Sequence, residues 1–196
     1  LVLFMGISVG SNIMVAQYFG AKNREKLSHA IGTSITVTAI SCVFLILVAT
    51  PLIKPILIAL NTPDSILEWC RGYLTISVVG IAGMAYYNIL SSIIRGMCDS
   101  FSALIYLLIA TAINIVLDIY FVAGLNMGVP GVALATVIAQ IVSSALCLIK
   151  IAKMRESFDF GLKYLKPKAS YVRTLIKLGL PSGLTQAIMS SAMIVV

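Results

Sequence analysis

The sequence places one carboxylate well inside a long apolar segment, at Asp118. Asn114 lies four residues before it and Thr111 seven before it, so in a helix the three side chains share one face. A carboxylate at the centre of a membrane costs about 2.5–3.5 kcal/mol on insertion scales, and such residues usually belong to ion or proton pathways. Carboxylate, amide and hydroxyl oxygens are also ligands that hard cations prefer.

A second polar stripe follows in the next apolar segment, where Thr136 and Gln140 are four residues apart. Measured from the shared end of two antiparallel helices, Asp118 lies about 7–8 Å deep and Thr136 about 10–11 Å deep. The spacing therefore predicts a cation or proton site formed by Asp118, Asn114 and Thr136, with Gln140 as a possible cavity-lining residue. The alternative is that Asp118 is a structural hydrogen-bond partner that holds helices together.

The elements that carry these residues are long and apolar. Of the 196 residues, 60% are hydrophobic and 11% charged, whereas soluble domains have about 45–50% apolar and about 25% charged residues. A membrane helix needs about 20 apolar residues, and strand-like alternation is absent. The sequence therefore predicts an all-α, polytopic transmembrane helix bundle. Six segments qualify or nearly do: 1–19, 30–60, 72–94, 101–123, 129–149 and 174–196. In the second, Pro51 and Pro55 predict that the regular helix stops near Thr50.

The chain has a net charge of +7, and its basic residues are concentrated on one predicted side of the membrane. If connections alternate sides, 12 of the 14 Lys and Arg residues lie on one side, within 20–29, 95–100 and 150–177. This excess follows sidedness, which argues against a nucleic-acid partner and predicts that loops 20–29, 95–100 and 150–173 are cytoplasmic. The protein is expected in the cell membrane, with the bilayer as its main partner. Arg95 and Asp99 are expected to pair across one of these turns.

Two further polar residues are candidates for cavity lining, Asn12 and Tyr87. Helix packing is an alternative for Asn12, and an interfacial anchor is an alternative for Tyr87. No paired carboxylates, Ser–Lys or Ser–His pair, or zinc motif is present in the sequence, so an enzyme is not expected. An intramembrane enzyme with its remaining catalytic groups outside this sequence stays as an alternative. We expect no cofactor, and no metal beyond Na⁺ at Asp118, Asn114 and Thr136.

Several segments resemble the multidrug and toxic compound extrusion (MATE) transporters. Two of them are the helix and turn before residue 24 and a later turn similar to that family's Arg-Gly-x-Gly-Asp turn, in which Cys98 stands in place of the second glycine. Two others are the segments that carry Asp118 and Thr136. The segments are Gly6–Gly10, Gln17–Asn23, Ile94–Ser100, Asn114–Asp118, Gly128–Thr136 and Leu178–Leu184.

The resemblance implies a secondary antiporter that exports drugs or organic cations in exchange for Na⁺ or H⁺ by alternating access. It implies that the sequence covers roughly the second to seventh of twelve helices. Residues 1–150 would form most of the N-terminal lobe, 151–172 a cytoplasmic inter-lobe linker, and 173–196 the first helix of the C-terminal lobe. In the family, positions matching Asn114, Asp118 and Thr136 help to bind the coupling cation. A flippase of a lipid-linked sugar remains the alternative transporter.

Overall fold

The computed structural model describes residues 2–60, 63–154, 158–159, 161 and 163–195. Within these ranges the regular elements are all helices, joined by turns, and no β-strand is present. The described helices are α1 (Val2–Gly20), α2 (Arg24–Ala59), α3 (Asp64–Gly96), α4 (Ser100–Ile119), α5 (Val129–Lys153) and α6 (Ala169–Val195). A π-helical turn at Tyr120–Gly124 continues directly from α4.

The predicted membrane-helix bundle is confirmed. Among the described residues, four helical stretches are long and apolar enough to cross a membrane: Arg24–Ala59, Ile66–Gly96, Ser100–Gly124 and Val129–Lys153. Large apolar side chains on their outer faces, such as Phe44 and Leu47, are 68% and 69% exposed, as expected for contact with lipid. The two other predicted spans, 1–19 and 174–196, each include residues outside the described part of the chain.

The predicted end of the second helix near Thr50 is wrong, because α2 continues through Pro51 and Pro55 to Ala59. Each proline removes one backbone hydrogen bond, but the turns around it remain helical. Ile53 and Leu57, one turn apart, are buried and hold this end of the helix against its neighbours. Such packing allows prolines inside membrane helices, which the sequence pattern alone does not reveal.

Short, well-capped turns bring consecutive helices together. The side chain of Asn23 accepts a hydrogen bond from the Lys26 amide at 3.0 Å, and that of Asp99 accepts one from the Ser102 amide at 3.0 Å. Both are standard N-caps, which satisfy an otherwise unpaired helix amide. Cys98 adopts a left-handed backbone conformation (φ 65°) in the second turn, a position at which glycine is favoured.

Helix α1 packs against α2, α3 and α6. Against α3 it forms a seam of reciprocal hydrogen bonds, in which Ser8 Oγ donates to the Asn88 carbonyl and Ser92 Oγ to the Ser8 carbonyl, at 2.9 and 2.7 Å. Against α6 it makes a close backbone crossing, since a Cβ atom on Gly6 would lie only 2.9 Å from the Gly179 carbonyl oxygen. Small residues and polar side chains are the usual means of joining helices in membranes.

The described part of the α5–α6 connection, residues 158–159, 161 and 163–168, is fastened to α2, and we call it the strap. The Asp159 amide donates to Ser28 Oγ at 2.8 Å, and Thr36 Oγ1 donates to the Leu165 carbonyl at 2.7 Å. The Tyr164 ring packs edge-on against His29, with centroids 4.9 Å apart. Helix α5 ends at Lys153 and α6 begins at Ala169, and the expected inter-lobe linker over 151–172 stays a prediction.

Candidate functional site

The two polar stripes face one another where α4 packs against α5. Asn114 Nδ2 donates a hydrogen bond to Thr136 Oγ1 at 3.4 Å. The Thr136 hydroxyl in turn donates to the Val132 carbonyl within its own helix at 3.0 Å. The Thr136 proton is therefore directed along α5, and the oxygen lone pairs point toward α4. The structure thus brings together two of the three predicted ligand residues.

Asp118 lies one helical turn beyond Asn114 on the same face of α4. Its Oδ1 atom is buried and has no hydrogen-bond partner, and no salt bridge to Asp118 occurs among the described residues. An unpaired, desolvated carboxylate oxygen is costly, and a bound cation would compensate for the missing partner. The π-helical turn begins two residues later, at Tyr120, and such turns often occur beside functional sites.

Gln140 lies on the opposite side of the Asn114–Thr136 contact from Asp118. It is one turn beyond Thr136, and because α4 and α5 are antiparallel, Gln140 and Asp118 are separated by about 12 Å along the helix axes. The Gln140 Oε1 atom is also buried without a hydrogen-bond partner. Asp118 and Gln140 therefore lie about one helical turn to either side of the Asn114–Thr136 contact, and Gln140 is near the middle of α5.

Helix α3 closes the interface behind Gln140. A Cβ atom on Gly83 would lie 3.6 Å from the Gln140 Cβ, and one on Gly80 would clash with the side chain of Val137. These two glycines let α5 approach α3 closely. The glycines were not singled out from the sequence, although their three-residue spacing on one helix face was visible there.

The other two candidates, Asn12 and Tyr87, lie in the helix packing around α1 and α3. Asn12 Nδ2 donates to the Ser92 carbonyl at 3.1 Å, within the α1–α3 seam. Tyr87 is 8% exposed and belongs to the largest hydrophobic cluster of the described residues. Neither residue is part of the α4–α5 contact that holds Asn114 and Thr136.

The predicted Arg95–Asp99 pair is wrong. Arg95 donates to Ser91 Oγ at 3.3 Å, and Asp99 instead forms a salt bridge with Lys150 at the end of α5, with 2.8 Å between Oδ2 and Nζ. Helix α3 ends before the left-handed turn at Cys98, which turns Asp99 away from Arg95 to cap α4. The hydrogen bond from Lys150 holds the pKa of the Asp99 carboxyl below its usual value, although partial burial opposes this effect.

Comparisons with known proteins give a consistent result. A family model described as MatE matches residues 1–120. The chain is 29% identical to the probable multidrug resistance protein YoeA of Bacillus subtilis, with 98% of this chain and 43% of the relative aligned. It is 24% identical to the multidrug export protein MepA of Staphylococcus haemolyticus, with 96% and 42% aligned. The chain thus spans less than half the length of these relatives.

Solved structures give the same answer at the level of the fold. The chain is similar to an inward-facing multidrug resistance MATE family transporter of the MOP superfamily, with a TM-score of 0.90 and 26% identity. This similarity covers 98% of the chain and 44% of that structure. It is also similar to a MOP superfamily transporter from Pyrococcus furiosus, with a TM-score of 0.89, 26% identity, and coverage of 98% and 43%.

Proposed function

The chain belongs to the MatE family, and from this membership we propose that it acts in a secondary antiporter that exports drugs or organic cations in exchange for Na⁺ or H⁺. Relatives named for multidrug resistance or multidrug export support the substrate class. In this proposal the antiporter moves its substrate by alternating access, without an enzymatic step. Because the chain spans less than half of these relatives, the activity is proposed for the protein that contains the complete pair of lobes.

The observation that carries the proposal is the group of oxygen atoms on α4 and α5. The Asn114–Thr136 contact at 3.4 Å holds an amide and a hydroxyl side by side. One turn away, the buried Asp118 oxygen has no partner. A Na⁺ ion would gain oxygen ligands from all three residues, whereas a proton would neutralise Asp118 directly. We propose this group as the binding site of the coupling ion.

Ion binding at Asp118 would drive transport by changing the balance between two conformations. A bound cation or proton cancels a charge that is costly in the membrane, so it favours whichever conformation isolates the site from water. An ion can shift this balance only by binding the two conformations with different affinities. If the drug prefers the opposite conformation, each ligand weakens the binding of the other by the same factor, which is the thermodynamic basis of exchange.

The positions of the connections and of the basic residues support an orientation in the membrane. Leu27 in the first turn of α2, Met97 in the turn before α4 and Phe158 in the strap belong to one hydrophobic cluster, so these connections lie at one end of the bundle. Of the 14 basic residues, 12 lie in or beside these connections. By the positive-inside rule, we propose that this end faces the cytoplasm.

The proposal is tested by replacing Asp118 with Asn, which preserves the side-chain size and its hydrogen bonding but removes the titratable charge. Drug efflux from cells, normalised to the amount of protein in the membrane, should be lost in Asp118→Asn. Thr136→Ala should retain more efflux because it removes one neutral ligand. The matched control is Glu68→Gln, at a carboxylate that is 76% exposed on α3, and it should transport like the wild type. If Asp118→Asn shows wild-type efflux, Asp118 has a structural role and the proposed ion site is wrong.

A further inference from the structure

The strap lies along one face of α2 and is held there by main-chain and side-chain contacts. A Cβ atom on Gly32 would clash with the carbonyl group of Tyr164, so the backbone of the strap rests directly on the backbone of α2 at this point. Ser28 and Thr36 lie four residues before and after Gly32, and their hydroxyls form hydrogen bonds with the strap. Residues 28, 32 and 36 share one face of the helix, and this face is the docking surface of the strap.

His29 lies beside this docking surface and joins three elements of the fold. It is only 3% exposed. Its ring packs against those of Tyr164 in the strap and Tyr171 in α6, with centroid distances of 4.9 and 5.6 Å. The Nδ1 atom is buried and has no hydrogen-bond partner among the described residues. His29 is the only histidine of the sequence, and the proposed transport mechanism does not use it.

From this arrangement we infer that the strap is a proton-sensitive latch, which docks on α2 while His29 is neutral and is released when His29 takes up a proton. Release would remove the link that runs from α2 through the His29 ring to α6, so α6 would be held less firmly against α2. The inference concerns a different region from the proposed ion site on α4 and α5 and does not depend on it.

The hydrogen-bonding pattern of His29 favours the neutral ring in the docked state. In a neutral imidazole one nitrogen carries the proton and the other is an acceptor. With its proton on Nε2, His29 has only a lone pair at the buried Nδ1. A second proton would make Nδ1 a donor, and a buried donor without an acceptor is costly. The protonated ring would satisfy this donor by leaving the docked position and contacting water.

The charges around His29 act in the same direction. Burial is the main cost of a positive charge at this position, and the ammonium groups of Lys168 and Lys163 in the strap add to it. Glu25, one turn earlier on α2, opposes this effect, so two cations and one anion of the described residues act on His29. The two phenol rings in contact with His29 supply no counter-charge.

The pH range of release follows from the difference between the docked and the released strap. An exposed histidine has a pKa of about 6.5. Below this value the released form takes up a proton that the docked form resists. The docked form is therefore fully favoured above a pH of about 6.5, and it loses this advantage as the pH falls further. Each pH unit below that value changes the ratio of the two forms by at most about tenfold.

The test measures hydrogen exchange of the full-length protein in nanodiscs by mass spectrometry at a pH of about 7.5 and of about 5.5, one unit above and below the pKa of an exposed histidine. Each rate is corrected for the pH dependence of exchange in unfolded peptides, so that the ratio of rates in strap peptides gives the change in strap opening. In the wild type this opening should increase by about three- to tenfold at the lower pH. Peptides covering residues 72–84 of α3 serve as the internal reference and should exchange equally at both pH values.

Three variants separate proton sensing from docking. His29→Phe keeps an aromatic ring between the two tyrosines but cannot take up a proton, so its strap should open equally at both pH values. His29→Gln also cannot be protonated and loses the ring, so its strap should open more than that of the wild type at the higher pH, again without a pH effect. The matched control, Thr36→Val, removes the hydrogen bond to the Leu165 carbonyl and keeps His29. Its strap should open more at both pH values and retain the pH effect.

Two results would overturn the inference. The first is a wild-type strap whose opening changes by less than about twofold between the two pH values, since protonation would then not release it. The second is a His29→Phe strap that opens at the lower pH as much as that of the wild type, because another group would then be the sensor. If His29→Phe does not fold, the pH dependence of His29→Gln decides the same question.

Discussion

Asp99 should stabilise the end of the α3–α4–α5 unit that carries the turn between α3 and α4, and its two contributions can be separated by mutation. Asp99 both caps α4, through the Ser102 amide at 3.0 Å, and accepts a hydrogen bond from Lys150 at 2.8 Å. Asn caps a helix about as well as Asp, so Asp99→Asn removes the ion pair and keeps the cap. Asp99→Ala removes both.

The structure sets the expected magnitude. The side chains of Lys150 and Asp99 are 30% and 25% exposed, so their pair lies between a surface ion pair and a buried one. Asp99→Asn should lower the free energy of unfolding by about 1 kcal/mol. Asp99→Ala should lower it by about 1 kcal/mol more through loss of the cap. Lys150→Met should cost about as much as Asp99→Asn, because Asp99 still accepts hydrogen bonds from the Ser102 amide and hydroxyl.

The assay is denaturant or thermal unfolding of the purified protein in nanodiscs, arranged as a double-mutant cycle of Asp99→Asn and Lys150→Met. The coupling between the two changes should be about 1 kcal/mol. Lys153→Met is the matched control, since Lys153 is exposed near the end of the same helix, and it should leave stability unchanged. A coupling of zero would refute the ion pair as a source of stability, and equal losses in Asp99→Asn and Asp99→Ala would refute the role of the cap.

The pH dependence follows from the lowered pKa of Asp99. An unfolded Asp has a pKa of about 3.9. A carboxyl with a lower pKa in the folded state contributes stability that is fully present above that value. This contribution is lost as the pH falls through the folded-state pKa. The wild type should therefore lose its advantage over Asp99→Asn below a pH of about 4.

Two further predictions concern helix packing and orientation. Gly179→Ala should destabilise the protein by about 1–3 kcal/mol, because its new Cβ would clash with the Gly6 carbonyl. Gly20→Ala should fold like the wild type, because no heavy atom lies within 4 Å of the added Cβ. Comparison of the unfolding transitions of the two variants checks this prediction. In single-cysteine variants, a membrane-impermeant thiol reagent should label Cys70 from outside and Cys98 only after permeabilisation, and the reverse pattern would contradict the proposed orientation.

The features that could be predicted from the sequence depend on local periodicity. Helices α3, α4 and α5 follow from apolar length, and the meeting of Asn114 with Thr136 follows from a four-residue spacing on two helices joined by a short loop. Because the depth of each residue in the membrane is counted from the same α4–α5 connection, the two depths could be compared without knowledge of the rest of the fold.

The features that could not be predicted depend on contacts between distant parts of the chain. Arg95 and Asp99 have a spacing that favours an ion pair. The left-handed turn at Cys98 and the approach of α5 instead bring Asp99 into a salt bridge with Lys150. The fastening of the strap to α2 joins residues more than a hundred positions apart, such as Thr36 and Leu165. Local patterns carry no information about such pairs.

The most direct test of the central claim measures drug binding to the purified protein as a function of Na⁺ concentration and pH. If Asp118 binds the coupling ion, the apparent drug affinity of the wild type should fall as either Na⁺ or H⁺ increases, because drug and ion favour opposite conformations. Asp118→Asn should bind the drug with an affinity that neither ion changes, while Glu68→Gln should respond like the wild type. An Asp118→Asn protein whose drug affinity still depends on the ion as strongly as that of the wild type would contradict the assignment of Asp118 as the coupling site.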